Sequence, residues 1–327
     1  MARADRAVAV AARGRLDYLW RPFGRREIDC ARGGRERTAR HAHTAASRTA
    51  VGQGAFVQEG TVSQRQLDAT WGLILGASSG FGAATALELG RRGMSILGVH
   101  LDTKSTLANV TKVGAELESY GVQSRFFNVN AADHERRRKA LDAIAETVLP
   151  AGSLTLFMHS LAFGTLKPFI APTGEDALTP AQLSMTLDVM AHSLVYWVQD
   201  LCARNLLRHG SRVVAMTSAG AARVIPSYGA VSAAKAALES HVRQLAVELA
   251  PRGITVNCVR AGVSDTPALR RIPGSEAIAE GARQRNPSGR LTQPTDVARA
   301  IAGLCTVDTQ WTTGCVIGVD GGEDVVA

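Results

Sequence analysis

The chain is poor in the features that mark membrane, secreted and metal-binding proteins. Its five cysteines lie at positions 30, 202, 258, 305 and 315 with no CxxC spacing, so the sequence predicts neither a zinc site nor a disulfide framework. No apolar run approaches the ~20 residues that a membrane-spanning helix needs, and the N-terminus shows no hydrophobic segment typical of a secretory signal. We therefore expect a metal-free protein of a reducing, cytoplasmic compartment, without a membrane partner.

Lysine is absent from the first 60 residues, which contain twelve arginines and six acidic residues. The resulting balance of +6 is most of the formal net charge of +8, so the basic character belongs to this segment and says little about a substrate. Because the segment has no periodic apolar face, we expect residues 1–65 to be a disordered, Arg-rich extension and residues 66–327 to form a single domain. Solvated disorder is preferred over nucleic-acid binding, so we expect no nucleic-acid partner. The five acidic residues before position 40 argue against a transit peptide.

From about Leu67, short apolar runs alternate with stretches of helical period. Several of the apolar runs are hydrophobic on both faces, as buried parallel strands are. The alternation predicts an α/β fold with a doubly wound, parallel, seven-stranded sheet of the Rossmann type. We place its strands at 71–75, 95–99, 124–129, 154–159, 212–216, 255–259 and 315–319. We place its helices at 83–92, 107–120, 134–148, 179–207 and 232–249, and the fourth is long enough to allow an interruption.

A glycine-rich loop at 76–82 follows the first strand and opens the first helix, with the spacing GxxxGxG. Glycine lets the backbone turn tightly and approach a pyrophosphate, and the helix N-terminus offers free N–H groups and the positive end of the helix dipole. A glycine triplet alone also fits a plain tight turn. Its position between a strand and a helix favours a nucleotide-binding site.

Further motifs make the chain similar to the short-chain dehydrogenase/reductase family. A tyrosine and a lysine stand on a later helix, residues 257–266 read Asn-x-Val-x-x-Gly-x-x-x-Thr, and residues 319–322 read Val-Asp-Gly-Gly. The resemblance covers residues 71–323 and implies a nicotinamide cofactor, with the adenine near Asn128 and Val129 and the carboxamide and phosphates at 263–266. The implied cofactor-binding residues are Gly76, Ser78, Ser79, Gly80, Phe81, Gly82, His100, Asn128, Val129, Ser160, Leu161, Lys235, Gly262, Val263 and Thr266.

The end of the second strand indicates which nicotinamide cofactor is used. Enzymes that use NAD usually place an acidic residue there to hold the ribose 2′-OH. The corresponding residue here is His100, with Asp102 and Lys104 just beyond it. Because His100 and Lys104 would not repel a 2′-phosphate, the sequence favours NADPH, and Asp102 keeps NADH as the alternative.

The tyrosine and the lysine have an unusual spacing. Val231 stands four residues before Lys235, where the commonest branch of the family has its tyrosine, and Tyr228 instead gives Tyr-x6-Lys. Met190 aligns with the asparagine of the family's proton relay. These departures resemble the enoyl-acyl carrier protein reductases, and the combination with GxxxGxG resembles a third bacterial type that tends to use NADPH. Ser218 aligns with the family's catalytic serine, so the resemblance implies Tyr228, Lys235 and Ser218 as the catalytic residues.

The segment 159–163, His-Ser-Leu-Ala-Phe, is also similar to that branch, and we expect a structural role for His159. The implied reaction is reduction of the 2,3 double bond of a 2-enoyl thioester in fatty-acid or polyketide synthesis. The Tyr228 phenol would stabilise the enolate that forms at the thioester oxygen. Lys235 would hold the nicotinamide ribose, and its charge would favour phenolate character on Tyr228.

The expected partners are an acyl thioester, carried by acyl carrier protein or coenzyme A, and further copies of the chain. Helix faces around 187–207 and 232–249 resemble the family's oligomer-forming surfaces, so a homotetramer is expected. We expect four arginines to flank the substrate entrance and to suit an acidic carrier protein, namely Arg204, Arg208, Arg270 and Arg271. Two alternatives remain: a carbonyl or dienoyl-thioester reductase of the same family, and a non-catalytic nucleotide-binding protein. The intact Tyr228 and Lys235 argue against the second.

Overall fold

A computed structural model describes residues 66–326, so the expected disorder of residues 1–65 lies outside the described residues. Seven strands form one sheet in the order β3-β2-β1-β4-β5-β6-β7, and every neighbouring pair is parallel. The strands are β1 (Trp71–Leu75), β2 (Ser95–His100), β3 (Ser124–Asn128), β4 (Leu154–His159), β5 (Arg212–Thr217), β6 (Thr255–Ala261) and β7 (Val316–Val319). The predicted doubly wound parallel sheet is confirmed.

The helices of residues 66–326 cover both faces of the sheet. They are α1 (Gly80–Arg91), α2 (Leu107–Ser119), α3 (His134–Val148), α4 (Pro180–Leu187), α5 (Ser193–Ala203), α6 (Gly229–Leu249), α7 (Ser275–Arg285) and α8 (Pro294–Leu304). Short 3₁₀ helices lie at Leu149–Ala151, Gly174–Asp176, Ala219–Ala221, Ala250–Arg252, Leu269–Arg271 and Val307–Thr309. None of these helices combines the length and the apolar character that crossing a bilayer requires.

The helical region predicted at 179–207 is divided. A π-helical turn, Asp188–His192, separates α4 from α5. The Ser193 hydroxyl donates to the carbonyl oxygen of Val189 over 2.7 Å, and such a side-chain bond competes with the regular helical pattern. Turns of this kind are often found at functional sites, and this one carries Met190.

Two helices, α7 and α8, were not predicted. Only Ala282 of α7 is buried, so this helix carries almost no apolar periodicity. The sequence did contain a signal for α8, because Gln293 and Asp296 form a capping box around Pro294 at the first helical position.

Two hydrophobic cores lie on opposite faces of the sheet. On one face, α3, α5 and α6 pack around Phe157 and Trp197, whose rings stack with their centroids 6.2 Å apart. On the other face, α1, α2 and α8 bury Leu89, Leu117 and Ile301. Because helices cover both faces, the edge where the parallel strands end is left to form a binding site.

Candidate active site

A cavity of about 410 Å³ opens at the carboxyl ends of the strands. Its walls come from the loops after β1, β2, β4, β5 and β6, which the parallel topology brings to one edge. All but two of the predicted site residues line it: Gly76, Ser78, Ser79, Gly80, Phe81, His100, Val129, Ser160, Leu161, Ser218, Tyr228, Lys235, Gly262, Val263 and Thr266. Gly82 and Asn128 do not belong to this lining.

The glycine loop has a conformation and a packing that only glycine allows. Gly76 has φ +84°, and a Cβ atom there would lie 2.2 Å from the carbonyl oxygen of Ser160. A Cβ atom on Gly82 would lie 2.1 Å from the carbonyl oxygen of Gly76, so Gly82 allows α1 to approach the loop closely. The first turn of α1 contains no acidic residue. A positively polarised helix N-terminus at the cavity, with no acidic side chain in its first turn, fits the pyrophosphate of a dinucleotide.

The end of β2 holds a buried, hydrogen-bonded pair of side chains. His100 Nδ1 lies 2.8 Å from Asp102 Oδ2, and both side chains are nearly inaccessible while lining the cavity. Asn128 fixes this corner, since its side chain accepts from the Asp102 N–H over 3.1 Å and donates to the Asp102 carbonyl over 3.0 Å. Asn128 therefore holds the backbone of Asp102, which lines the cavity, although Asn128 itself does not. Lys104 is exposed and does not belong to the lining.

Tyr228 stands at the N-terminus of α6 and is the one tyrosine of residues 66–326 that lines the cavity. Its ring packs against Gly220, where a Cβ atom would come within 2.7 Å of the ring and 3.4 Å of Ser218 Oγ. Burial raises the pKa of the phenol, and a hydrogen bond from Ser218 opposes the rise. The expectation that Lys235 favours the phenolate is wrong, because desolvation dominates and the phenol stays protonated.

An apolar wall occupies the positions that carry the relay in other branches. Val231 and Met190 are both buried and both line the cavity. A Cβ atom on Gly164 would lie 2.9 Å from Val231 Cγ2 and 3.0 Å from Met190 Sδ, so these groups close over the glycine. Proton transfer through this wall is excluded because neither side chain carries an exchangeable proton.

Lys235 lines the cavity, although its side chain is almost entirely buried. Its Nζ donates to the carbonyl oxygens of Met216 and Leu161, over 2.8 and 3.4 Å. Burial lowers the pKa of the ammonium to about 8, against the opposing effects of Cys258 and Glu239. The group therefore loses its proton within the range in which enzymes are assayed.

A family model described as Enoyl-(Acyl carrier protein) reductase matches residues 76–323, which include the glycine loop, Tyr228, Lys235 and the closing glycines. The chain belongs to the short-chain dehydrogenase/reductase family. It is 32% identical over 272 residues to 1-cyclohexenylcarbonyl-CoA reductase of Streptomyces collinus, covering 83% of this chain and 91% of that protein. It is 29% identical to versicolorin reductase 1 of Aspergillus parasiticus over 272 residues, which cover 79% and 97% of the two chains.

Among solved structures, a short-chain dehydrogenase from Burkholderia cenocepacia in complex with NADP is similar, with a TM-score of 0.67 and 29% identity. The match covers 80% of this chain and all of that one. This short-chain dehydrogenase/reductase is therefore an oxidoreductase that uses a nicotinamide cofactor, as predicted. The glycine cradle and the buried lysine fit such a cofactor.

In this short-chain dehydrogenase/reductase, His159 has a structural environment. Its Nε2 lies 2.8 Å from Ser193 Oγ, and Ser193 already gives its hydroxyl hydrogen to Val189. The proton of His159 is therefore on Nε2. Nδ1 is buried without a hydrogen-bond partner among residues 66–326. Burial, reinforced by the charge of Lys235, lowers the pKa of His159 to about 3.

Not all of the four arginines expected at the substrate entrance lie there. Arg204 pairs with Asp142 and Asp200 and is absent from the cavity lining, as is Arg208. Their expected position was wrong because the C-terminal end of α5 points away from the strand ends. Arg271 lines the cavity, and Arg270 pairs with Asp265 beside it.

Sequence reasoning missed a group of charged residues at the cavity: Arg260, Asp320, Glu323 and Asp324. In the sequence, the Val-Asp-Gly-Gly motif at 319–322 indicated the family resemblance and no site residue. Its two glycines, at φ +63° and +87°, turn the chain so that the following acidic residues reach the site. This turn was the signal that could have located them.

Proposed function

We propose that the protein reduces the 2,3 double bond of a 2-enoyl thioester with NADPH. The observation that carries the proposal is the position of Tyr228 at the N-terminus of α6, with Val231 and Met190 filling the places nearer Lys235. The three-residue displacement from 231 to 228 corresponds to about 4.5 Å along a helix axis. A ketone reductase needs its phenol beside the carbon that is reduced. An enoyl reductase needs it further along the substrate, at the thioester carbonyl.

The protonation state of Tyr228 suits this role. When bound, the nicotinamide supplies the hydride for the β-carbon of the enoyl group. Tyr228 is a neutral phenol because burial raises its pKa, and it can donate a hydrogen bond to the thioester oxygen as negative charge develops there. Ser218 beside it orients the phenol. Lys235 binds the ribose hydroxyls of the cofactor with its buried ammonium.

The cavity also suits an acyl chain. Phe163, Leu166, Ile225 and Leu269 add apolar surface to its lining, and Phe163 is 51% exposed at its edge. Arg271 is an exposed cationic residue of the lining, and we assign it to the phosphate of a coenzyme A or acyl-carrier phosphopantetheine arm. The homotetramer remains part of the proposal, with the outer faces of α5 and α6 as its contact surface.

Carbonyl reduction is the second candidate. It is favoured by Ser218, which occupies the position of the family's catalytic serine and lies beside Tyr228. The similarity to versicolorin reductase 1 points the same way. The two candidates predict opposite substrate preferences.

The test is NADPH oxidation measured with crotonyl and acetoacetyl thioesters side by side. Enoyl reduction should dominate, and Tyr228→Phe should lower it by about 10²–10³-fold while NADPH binding is preserved. Tyr120→Phe is the matched control, since Tyr120 bonds Glu116 on the protein surface and should leave turnover unchanged. Preferential reduction of the 3-oxo substrate would establish the second candidate. Tight NADPH binding without any turnover would support the non-catalytic alternative.

A further inference from the structure

Two acidic residues near the C-terminus, Glu323 and Asp324, form what we call the acidic clasp. The turn before them is fixed by a hydrogen bond from the Gly322 N–H to Asp320 Oδ1 over 3.0 Å. Asn286 donates to the Asp320 carbonyl over 2.9 Å and holds the turn against the end of α7. Both clasp residues line the cavity, so a tight turn delivers two carboxylates to the site.

Asp324 joins two different walls of the cavity. Its Oδ1 lies 2.7 Å from Arg223 Nη2, and its backbone carbonyl accepts from the same nitrogen over 3.1 Å. Its Oδ2 lies 2.8 Å from Arg260 Nη2. Arg223 belongs to the loop between β5 and α6, and Arg260 belongs to β6. Within residues 66–326, Asp324 is the one acidic partner of Arg260, whose Nε is buried without an acceptor.

The loop that Asp324 restrains leads directly into Tyr228. Ser227 has φ +59°, a left-handed conformation that a serine adopts at an energetic cost. Such a conformation persists only where the surroundings enforce it. The Tyr228 N–H donates to the Ile225 carbonyl over 3.1 Å and supplies part of that restraint from within the loop. The Arg223–Asp324 pair supplies a restraint from outside.

Glu323 restrains the opposite wall. Its Oε2 accepts from the Val263 N–H over 2.9 Å, and its Oε1 lies 3.4 Å from Arg285 Nη2. A Cβ atom on Gly262 would come within 2.9 Å of Oε2, so the close approach of this carboxylate depends on glycine. The side chain of Glu323 is only 10% exposed. Its carboxylate thus fixes the start of segment 263–266.

We propose that the clasp positions the two halves of the site separately. Asp324 positions Tyr228 through Arg223, and Glu323 positions the cofactor-binding segment through Val263. Both are positioning residues, because they act through neighbouring groups. The role of Asp324 rests on the proposed function of Tyr228, whereas the role of Glu323 requires only the nicotinamide cofactor.

The experiment compares Asp324→Asn with Glu323→Gln, each of which removes a charge and keeps the shape. Asp324→Asn should lower kcat by about tenfold and leave the Kd for NADPH within twofold, because small displacements of a reacting group slow turnover strongly. Glu323→Gln should raise the Kd for NADPH by about tenfold, with kcat at saturating NADPH within twofold. Glu280→Gln is the control, since it disrupts an exposed pair with Arg283.

Two rescue variants distinguish positioning from general stability. Asp324→Glu should recover most of kcat, since it restores the charge. Ser227→Gly in the Asp324→Asn background should recover part of kcat, because glycine adopts positive φ without strain. The inference is wrong if Asp324→Asn turns over like the wild type, or if both variants change kcat and Kd together in proportion to a lower Tm. A wild type without reductase activity would contradict the proposed function instead. The NADPH titration of Glu323→Gln would still test whether Glu323 positions the cofactor-binding segment.

Discussion

Lys235 Nζ lies 2.8 Å from the carbonyl oxygen of Met216, the residue before the last position of β5. A second carbonyl oxygen, that of Leu161 after β4, lies 3.4 Å away. The end of β5 and the loop after the neighbouring β4 thus present backbone carbonyls to a buried ammonium. Burial nevertheless lowers the pKa of Lys235 to about 8, with Cys258 and Glu239 opposing the fall.

The first prediction concerns cofactor binding and pH. The protonated form of Lys235 binds the anionic, hydroxyl-bearing cofactor, and this form is lost as pH rises through about 8. The Kd for NADPH should therefore be constant below about pH 7 and should rise above pH 8. Fluorescence titration between pH 6.5 and about 9.5 measures this. Lys235→Met should bind NADPH more weakly, and its Kd should not rise with pH. An equal rise in both proteins would show that another group causes the pH dependence.

The second prediction concerns acid stability. Burial lowers the folded-state pKa of His159 to about 3, below its ordinary value of 6.5, so the unfolded state binds more protons between these values. This histidine should therefore reduce the free energy of unfolding by about 1.4 kcal/mol for each pH unit below 6.5. His159→Gln keeps a donor for Ser193 and does not titrate, so its stability should fall less steeply with acid. Urea unfolding from pH 7 to about 4 compares the two slopes; parallel curves would contradict the assignment.

The third prediction concerns the cofactor preference. His100→Asp places a second carboxylate beside Asp102, where it would repel a 2′-phosphate and accept from a ribose 2′-OH. The ratio of the Kd values for NADH and NADPH should fall by about tenfold or more. Lys104→Ala is the control and should change the ratio little, because Lys104 lies outside the cavity lining. A wild type that binds NADH tenfold more tightly would overturn the NADPH proposal.

The fourth prediction concerns the carrier of the substrate. Arg271→Ala should raise KM for crotonyl-coenzyme A by about tenfold, as expected for loss of a charge-assisted contact to phosphate. It should leave KM for crotonyl-pantetheine, which has no phosphate, nearly unchanged. Arg270→Ala is the matched control, since Arg270 pairs with Asp265. Equal effects on both substrates would indicate a distorted cavity in place of phosphate recognition.

The local sequence determined the fold, and its motifs identified part of the cavity lining, including Tyr228, Lys235 and the glycine loop. Strand runs such as Trp71–Leu75 are apolar on both faces, and this pattern fits only strands covered on both sides. The glycine loop could be predicted from the sequence because its conformation requires glycine, as at Gly76 with φ +84°. The Tyr-x6-Lys spacing placed Tyr228 and Lys235 on the cavity in the same way, because Tyr228 caps the N-terminus of the helix that carries Lys235.

Tertiary structure decided what depends on groups distant in sequence. Asp324 meets Arg223 across 101 residues, and Glu323 meets Val263 across 60, so no local pattern could join them. The protonation of Tyr228 and Lys235 depends on burial, which follows from how strands and helices pack. Ser193 donates to Val189 within the π-helical turn that carries Met190, and it also receives the hydrogen bond of His159 at the end of β4. Local propensities set each element, whereas desolvation and long-range ion pairs exist only once the elements pack together.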